Sequence, residues 1–288
     1  VALIELQELS KVYGFGEATT LALDEIELSI EKGEFIAVMG PSGSGKTTLL
    51  NVIGLLDRPT HGVYKLDGRS ISRLRPGQQA KLRRDRIGFV FQSYNLLPRL
   101  NVLDNVALPL AYKGMLPVKR WQRASDMLEQ VGMREREYFM PRHLSSGQAQ
   151  RAAIARALIN KPGIIIADEP TGNLDSFDSK VVMELFADIH RQGNTILLVT
   201  HNPELTRYAS RVIYMSDGMI VGDEKTAIGH LAKGARRIYF SRYRRTPEDI
   251  TAGLSALMHD VPGKELADIP KSSKPRRKTK RASRKAAK

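Results

Sequence analysis

The chain has 288 residues, 42% of them hydrophobic and 26% charged, a balance typical of a soluble globular protein and long enough for one large α/β domain or two small ones. No stretch approaches the roughly 18 consecutive apolar residues of a membrane-spanning helix, and the absence of cysteine excludes a disulfide framework and a thiolate metal site, which suits the cytosol. The net charge of +14 is unevenly spread: residues 270–288 carry ten Lys or Arg and no Asp or Glu, which leaves +4 for residues 1–269.

The first ten residues, "VALIELQELS", alternate like a strand and are not expected to be a secretory signal; the opening on Val1 suggests that an upstream piece has been removed. "ALIELQEL" and "LALDEIELSI" alternate as half-exposed antiparallel strands do, "EFIAVM" follows, and "GVYKLDG" reads as a hairpin strand. "IGFVF" (87–91), "GIIIADEP" (163–170) and "NTILLVT" (194–200) are continuous apolar runs separated by helical segments, the pattern of parallel strands buried on both faces. Between Gln92 and Leu144 the pattern is helical, and "RVIYMSDGMIVGDE" is expected to close the body as a hairpin turning at Ser216-Asp217-Gly218. Thr246, Pro247 and an apolar stripe through Ile250, Leu254, Leu257 and Val261 predict a short amphipathic helix. From Pro270 onward nothing can build a core, and the tail is expected to be disordered.

"GPSGSGKTT" (40–48) matches G-x-x-x-x-G-K-[ST] between a predicted strand and a predicted helix, the context of a P-loop. In such a loop Gly40, Gly43 and Gly45 let the backbone N–H groups, those of Ser42 and Ser44 included, wrap phosphates. Lys46 reaches the β- and γ-phosphates, the Thr47 hydroxyl binds Mg2+, and that of Thr48 reaches the α-phosphate. The apolar strand that ends in Asp168-Glu169 sets two carboxylates at the carboxyl edge of a parallel sheet, where ligands bind. Asp168 suits Mg2+, directly or through water, and Glu169 is placed to polarise an attacking water. "LSSGQAQR" (144–151) has the Ser145/Gln148 spacing of a capping box, so a helix starts there; Ser-Ser-Gly at its N-terminus also makes an anion site.

With "DEPTGNLD" following, "LSSGQAQR" resembles the ATP-binding cassette (ABC) family, and the resemblance covers about residues 1–225. It implies an α/β P-loop NTPase fold with a RecA-like parallel-sheet core, an antiparallel β subdomain and a helical signature subdomain (about 93–158). A C-terminal extension (226–269) and the basic tail (270–288) would follow. It implies ATP hydrolysis by two domains packed head to tail, with Ser145 and the Gly147 backbone of one capping the γ-phosphate held by the P-loop of the other. It also assigns Tyr13 to adenine stacking, Gln92 to sensing Mg2+ and the membrane partner, His201 to the γ-phosphate, and Asp175 to the dimer interface.

Two residues depart from the pattern: Ser146, where glycine is usual, expected to weaken closure without loss of function if the position needs positive φ or very close approach to the partner's phosphates, and Ala149, expected to matter little. "IGFVFQSYNLLPRLNVLDNVALPL" and "DEPTGNLDS" look like the lipoprotein-release, macrolide-export and cell-division ATPases. These imply a separate permease, docked near "SYNLLPRLNVLDNV", and a cytoplasmic protein peripheral on the inner membrane face. The alternatives are a soluble ABC ATPase acting on nucleic acid or ribosomes and a poorly hydrolysing regulatory binder. The basic tail would fit an anionic membrane surface or nucleic acid.

Overall fold

The computed structural model describes residues 2–14, 19–72 and 74–226; the amphipathic segment and the basic tail expected beyond them lie outside the described residues. A four-stranded sheet contains β1 (Ala2–Tyr13), β2 (Thr20–Glu31), β4 (His61–Leu66) and β5 (Arg69–Ser70) in the order β2-β1-β4-β5, all antiparallel. Alternation in β1 and β2 is interrupted by register shifts; Glu8 and Glu25 have positive φ, and the Glu8 amide donates to the Glu27 carboxylate at 2.7 Å.

The second sheet has six strands in the order β10-β9-β3-β8-β7-β6: β3 (Phe35–Met39), β6 (Ile87–Phe91), β7 (Ile164–Asp168), β8 (Thr195–Val199), β9 (Arg211–Ser216) and β10 (Met219–Lys225). The pairs β3·β8, β3·β9, β7·β8 and β6·β7 are parallel, and β9·β10 is the antiparallel hairpin. The apolar runs are continuous because each strand feeds two cores. Phe35, Ala37, Ile165, Ala167, Ile196 and Leu198 face one core, and Ile36, Val38, Ile164, Ile166, Leu197 and Val199 the other.

The first core is closed by α3 (Val102–Ala111), α4 (Pro117–Gln130), α5 (Ser146–Leu158) and α6 (Ser176–Arg191). The second is closed by α1 (Lys46–Ile53) and the antiparallel sheet. Full burial of each such aliphatic side chain contributes about 1.5–3 kcal/mol, so the sheet can hold strained residues at its edge. The remaining helix, α2 (Pro76–Arg86), is mostly polar; its one buried residue is Gln79, and Leu82 packs partly buried against the second core.

Candidate active site

Because β3, β8, β7 and β6 are parallel neighbours, their carboxyl ends open onto one edge of the sheet. Each strand delivers one expected segment there: the 40–48 loop follows β3, His201 follows β8, Asp168 and Glu169 end β7, and Gln92 follows β6. In the loop, Gly43 and Gly45 take φ of 83° and 93°, and Gly45 is the left-handed residue that starts α1. A Cβ on Gly40 would collide with the Met215 carbonyl, and one on Gly45 would lie 2.5 Å from the Ala22 carbonyl, so both are pinned by close approach. Ser44 is buried, its carbonyl accepting from Gly218 N at 3.2 Å, which braces the loop against the β9–β10 turn. The Lys46 ammonium lies over the loop, donating to the carbonyls of Gly40 (2.9 Å) and Pro41 (2.7 Å). Ser42 and Thr47 are exposed, and Thr48 is half-buried.

Asp168 is held above the usual carboxylate range, first by burial and then by the adjacent Glu169 charge, with Lys46 partly offsetting both. Glu169 has φ of 45°, a left-handed conformation worth of order 1–3 kcal/mol of strain. Its amide donates to Val199 O at 2.9 Å. Its carboxylate meets both ends of the next strand's loop: Oε1 accepts from His201 N (2.9 Å) and contacts His201 Nδ1 (2.7 Å), while Oε2 accepts from Thr200 Oγ1 (3.3 Å). A carboxylate so aimed has the acceptor capacity to orient a water, and the imidazole beside it is the group able to sense what lies beyond. Gln92 packs against the segment after Glu169: its Nε2 donates to Asn173 Oδ1 at 3.4 Å, and Asn173 Nδ2 donates to its carbonyl at 3.1 Å. Gly172 leaves it room, since a Cβ there would lie 2.6 Å from Gln92 Nε2.

Tyr13 approaches from the other sheet. It ends β1, and its hydroxyl donates to the Asp57 carboxylate at 2.8 Å. Ser145, Gly147 and Asp175 form a separate constellation. Ser145 caps α5 in the predicted reciprocal pair, its Oγ accepting from Gln148 N (3.3 Å) and its amide donating to Gln148 Oε1 (3.0 Å). Asp175 caps α6, its side chain accepting from Asp178 N at 2.7 Å. Gly147 rests on the Asp178 carboxylate so closely that a Cβ would overlap it. The two helix starts are thereby locked together.

The Ser146 backbone is that of the first residue of α5, not left-handed, so the strain anticipated for a non-glycine residue does not arise. Its side chain is exposed. Ala149, expected to be of little consequence, is 6% exposed in the core, so a longer side chain would have to displace its neighbours.

Several positioning residues were not visible in the sequence. Gln150 is fully buried and donates to Pro170 O at 2.8 Å, tying α5 to the segment after Glu169. Asn105, also fully buried, bonds Leu97 N and the carbonyls of Leu97, Leu100 and Asn101. Arg156 grips the carbonyls of Tyr94 and Asn95, both residues with positive φ. Together they shape the 94–101 segment beside a groove of about 910 Å3. Its walls are apolar (Phe89, Phe91, Leu108, Pro109, Tyr112) and basic (Lys81, Arg83, Arg84, Arg156).

Residues 23–172 match the family model described as ABC transporter. The ABC transporter ATP-binding protein YvrO of Bacillus subtilis, itself described as uncharacterized, is 47% identical over 228 residues, 79% of this chain and 100% of that protein. The macrolide export ATP-binding/permease protein MacB of Marinobacter nauticus is 50% identical over 221 residues, 77% of this chain but only 34% of the longer protein. Among solved structures, the dimeric post-hydrolysis state of the ATP-binding cassette MJ0796 bound to ADP and Pi superposes with a TM-score of 0.72. It is 43% identical and covers 77% of this chain and 98% of that one. The cassette cbiO1 of Clostridium perfringens, part of the complex cbiONQ, gives 0.70 at 28% identity, covering 78% and 88%. On the family match and these identities, the chain belongs to the ABC transporter ATP-binding family, which binds and hydrolyses ATP.

Proposed function

We propose that the chain is the ATPase subunit of a transporter complex, pairing head to tail with a second copy and driving a separate membrane permease. The observation that carries the reading is the split of the site. The triphosphate cradle, Asp168, Glu169, His201 and Gln92 gather at one sheet edge, while Ser145, Gly147 and Asp175 form a second surface tied together through Asp178. The dimeric MJ0796 cassettes support a partner's phosphates as the object of that second surface.

In this reading Lys46 and the loop amides hold the β- and γ-phosphates and Tyr13 stacks on adenine. Glu169 takes the proton of the attacking water, with His201 beside it at the γ-phosphate. Thr47, Asp168 and Gln92 would hold Mg2+, whose charge offsets that of the phosphates. The donor set suits it: among the described residues no group of three His, Cys, Asp or Glu could cage a metal unaided. Mg2+ is ordinarily held by one or two protein oxygens plus substrate phosphates. The raised Asp168 pKa also marks a carboxylate that a cation would relieve.

Among the described residues no helix is long and apolar enough to cross a membrane. In this proposal the permease is another polypeptide and this chain a peripheral subunit at the cytoplasmic face, in line with YvrO, an ATP-binding protein that the match covers to 100%. Of the proposed kinds of work, export, lipoprotein release and mechanotransmission, the names of the MacB relatives support export. The groove at α2, β6 and α3 is the proposed seat of the permease's cytoplasmic helix. Residues 1–225 form the cassette in this proposal, with 93–158 as its helical part. Detergent extraction of cells carrying a tagged full-length chain tests the reading: a polytopic membrane protein should copurify in stoichiometric amount, and recovery of ribosomes or nucleic acid in its place would overturn it.

A further inference from the structure

The side chain of Tyr13 is not left to find its position. Its hydroxyl donates to Asp57 Oδ2 at 2.8 Å. The other carboxylate oxygen, Oδ1, accepts from Lys11 Nζ (2.8 Å) and from the amide of Arg58 (2.6 Å). Lys11 Nζ also donates to the Arg58 carbonyl at 2.8 Å, and lies 4.7 Å from the centre of the Tyr13 ring. The Lys11 side chain is 11% exposed, whereas Tyr13 itself remains 40% exposed. Lys11 and Asp57 thus restrain the ring and its hydroxyl without covering it.

Asp57 belongs to the turn that ends the P-loop helix: the amides of Leu56 and Asp57 both donate to Asn51 O, at 2.9 and 3.1 Å. Helix α1 therefore begins at the phosphate cradle, and the turn that follows its last residue, Ile53, carries the residue that holds Tyr13. An untethered tyrosine at a strand end would lose rotamer freedom each time a base stacked on it; a tethered one has lost it in advance.

We propose that Asp57 and Lys11 are positioning residues for nucleotide binding, locking Tyr13 as the platform for the adenine ring so that helix α1 and the turn after it set both ends of ATP. The proposal rests on the reading of Tyr13 as the adenine-stacking residue. The charge states agree with it. Burial alone would raise the Asp57 pKa, but hydrogen bonds from Lys11, Tyr13 and the Arg58 amide outweigh it and keep the carboxylate ionised. Partial burial and then the Asp57 contact raise that of Tyr13, which stays a donor.

The test uses the full chain and four variants, Tyr13→Phe, Asp57→Ala, the two combined, and Tyr13→Ala. Melting temperature controls for folding. The readouts are KM and kcat for ATP and competition by inorganic tripolyphosphate, which has phosphates but no base. Losing one net hydrogen bond corresponds to about a three- to tenfold rise in KM. Tyr13→Phe and Asp57→Ala should each show such a rise with little change in kcat, and the double variant should be no worse than Asp57→Ala alone, because both remove the same bond. Tripolyphosphate should compete equally well in all. If Asp57→Ala weakens tripolyphosphate as much as ATP, the residue only supports the P-loop and the proposal fails. If Tyr13→Ala raises KM but Tyr13→Phe and Asp57→Ala do not, the platform stands and the clamp is overturned. If Tyr13→Ala has no effect, both fall.

Discussion

Gly147→Ala adds a single methyl group at the first turn of α5, at a point where its Cβ would overlap the Asp178 carboxylate. Asp178 cannot readily withdraw, being 9% exposed in the first turn of α6 with its amide held by Asp175 at 2.7 Å. Overpacking of this kind costs about 1–3 kcal/mol, against a gain of at most about 1 kcal/mol from replacing glycine by alanine in a helix. The net loss should be about 1–2 kcal/mol, read as a drop of about 2–4 °C in Tm per kcal/mol for a domain of this size. In an Asp178→Ala background the carboxylate is gone and the methyl has room, so the same change should become neutral or stabilising. Thermal melts followed by circular dichroism on the four proteins of the cycle give the answer. Turnover should fall in Gly147→Ala, because the displaced turn carries Ser145, while binding of a labelled ATP analogue to one copy should hold. An equal drop in Tm in both backgrounds, or none in either, would refute the contact as the source of the glycine requirement.

Three further outcomes follow from the same geometry. Gln150→Ala leaves the buried Pro170 carbonyl without its donor and should cost about 1–3 kcal/mol, measured as a lower urea midpoint; an unchanged midpoint would show that the bond contributes nothing. Asp168→Asn should raise Tm at neutral pH while abolishing turnover. The folded pKa of Asp168 is raised, so its contribution is fully present below the ordinary carboxylate pKa and is lost as pH rises through the folded value. Asparagine removes that loss, and the gain over wild type should shrink on acidification; a lower Tm at neutral pH would contradict the assignment. Ser145→Arg should block ATP-driven pairing in a sizing column yet leave binding by a single copy nearly unchanged, since Lys46 and Thr47 lie elsewhere in the chain's fold. Lost binding would place Ser145 in its own chain's pocket.

The core strands and the α5 start were legible for opposite reasons. β3, β7 and β8 bury both faces, so their sequences become unbroken apolar runs, whereas Ser145 and Gln148 announce a helix start by chemistry alone. Helix α2 was not legible because it buries only Gln79 and presents no apolar stripe. Gln150 and Asn105 look like surface residues by type but are fully buried, because loop carbonyls and amides wait for them in the fold. Asp57, Asp178 and Asn173 matter through partners distant in sequence, contacts for which a single chain has no local signature. The motif residues fared differently: the P-loop, Asp168-Glu169, His201 and Gln92 each sit at or just past a strand end, and parallel topology alone brings them to one edge.

Glu169→Gln tests the central claim most directly. The amide keeps one oxygen to accept from His201 and leaves the cradle and Asp168 intact, but it cannot take a proton from water. Turnover should fall by about 10²–10⁴, and light scattering should report a dimer with MgATP and a monomer with MgADP. Near-normal turnover, or a monomer with both nucleotides, would contradict the account.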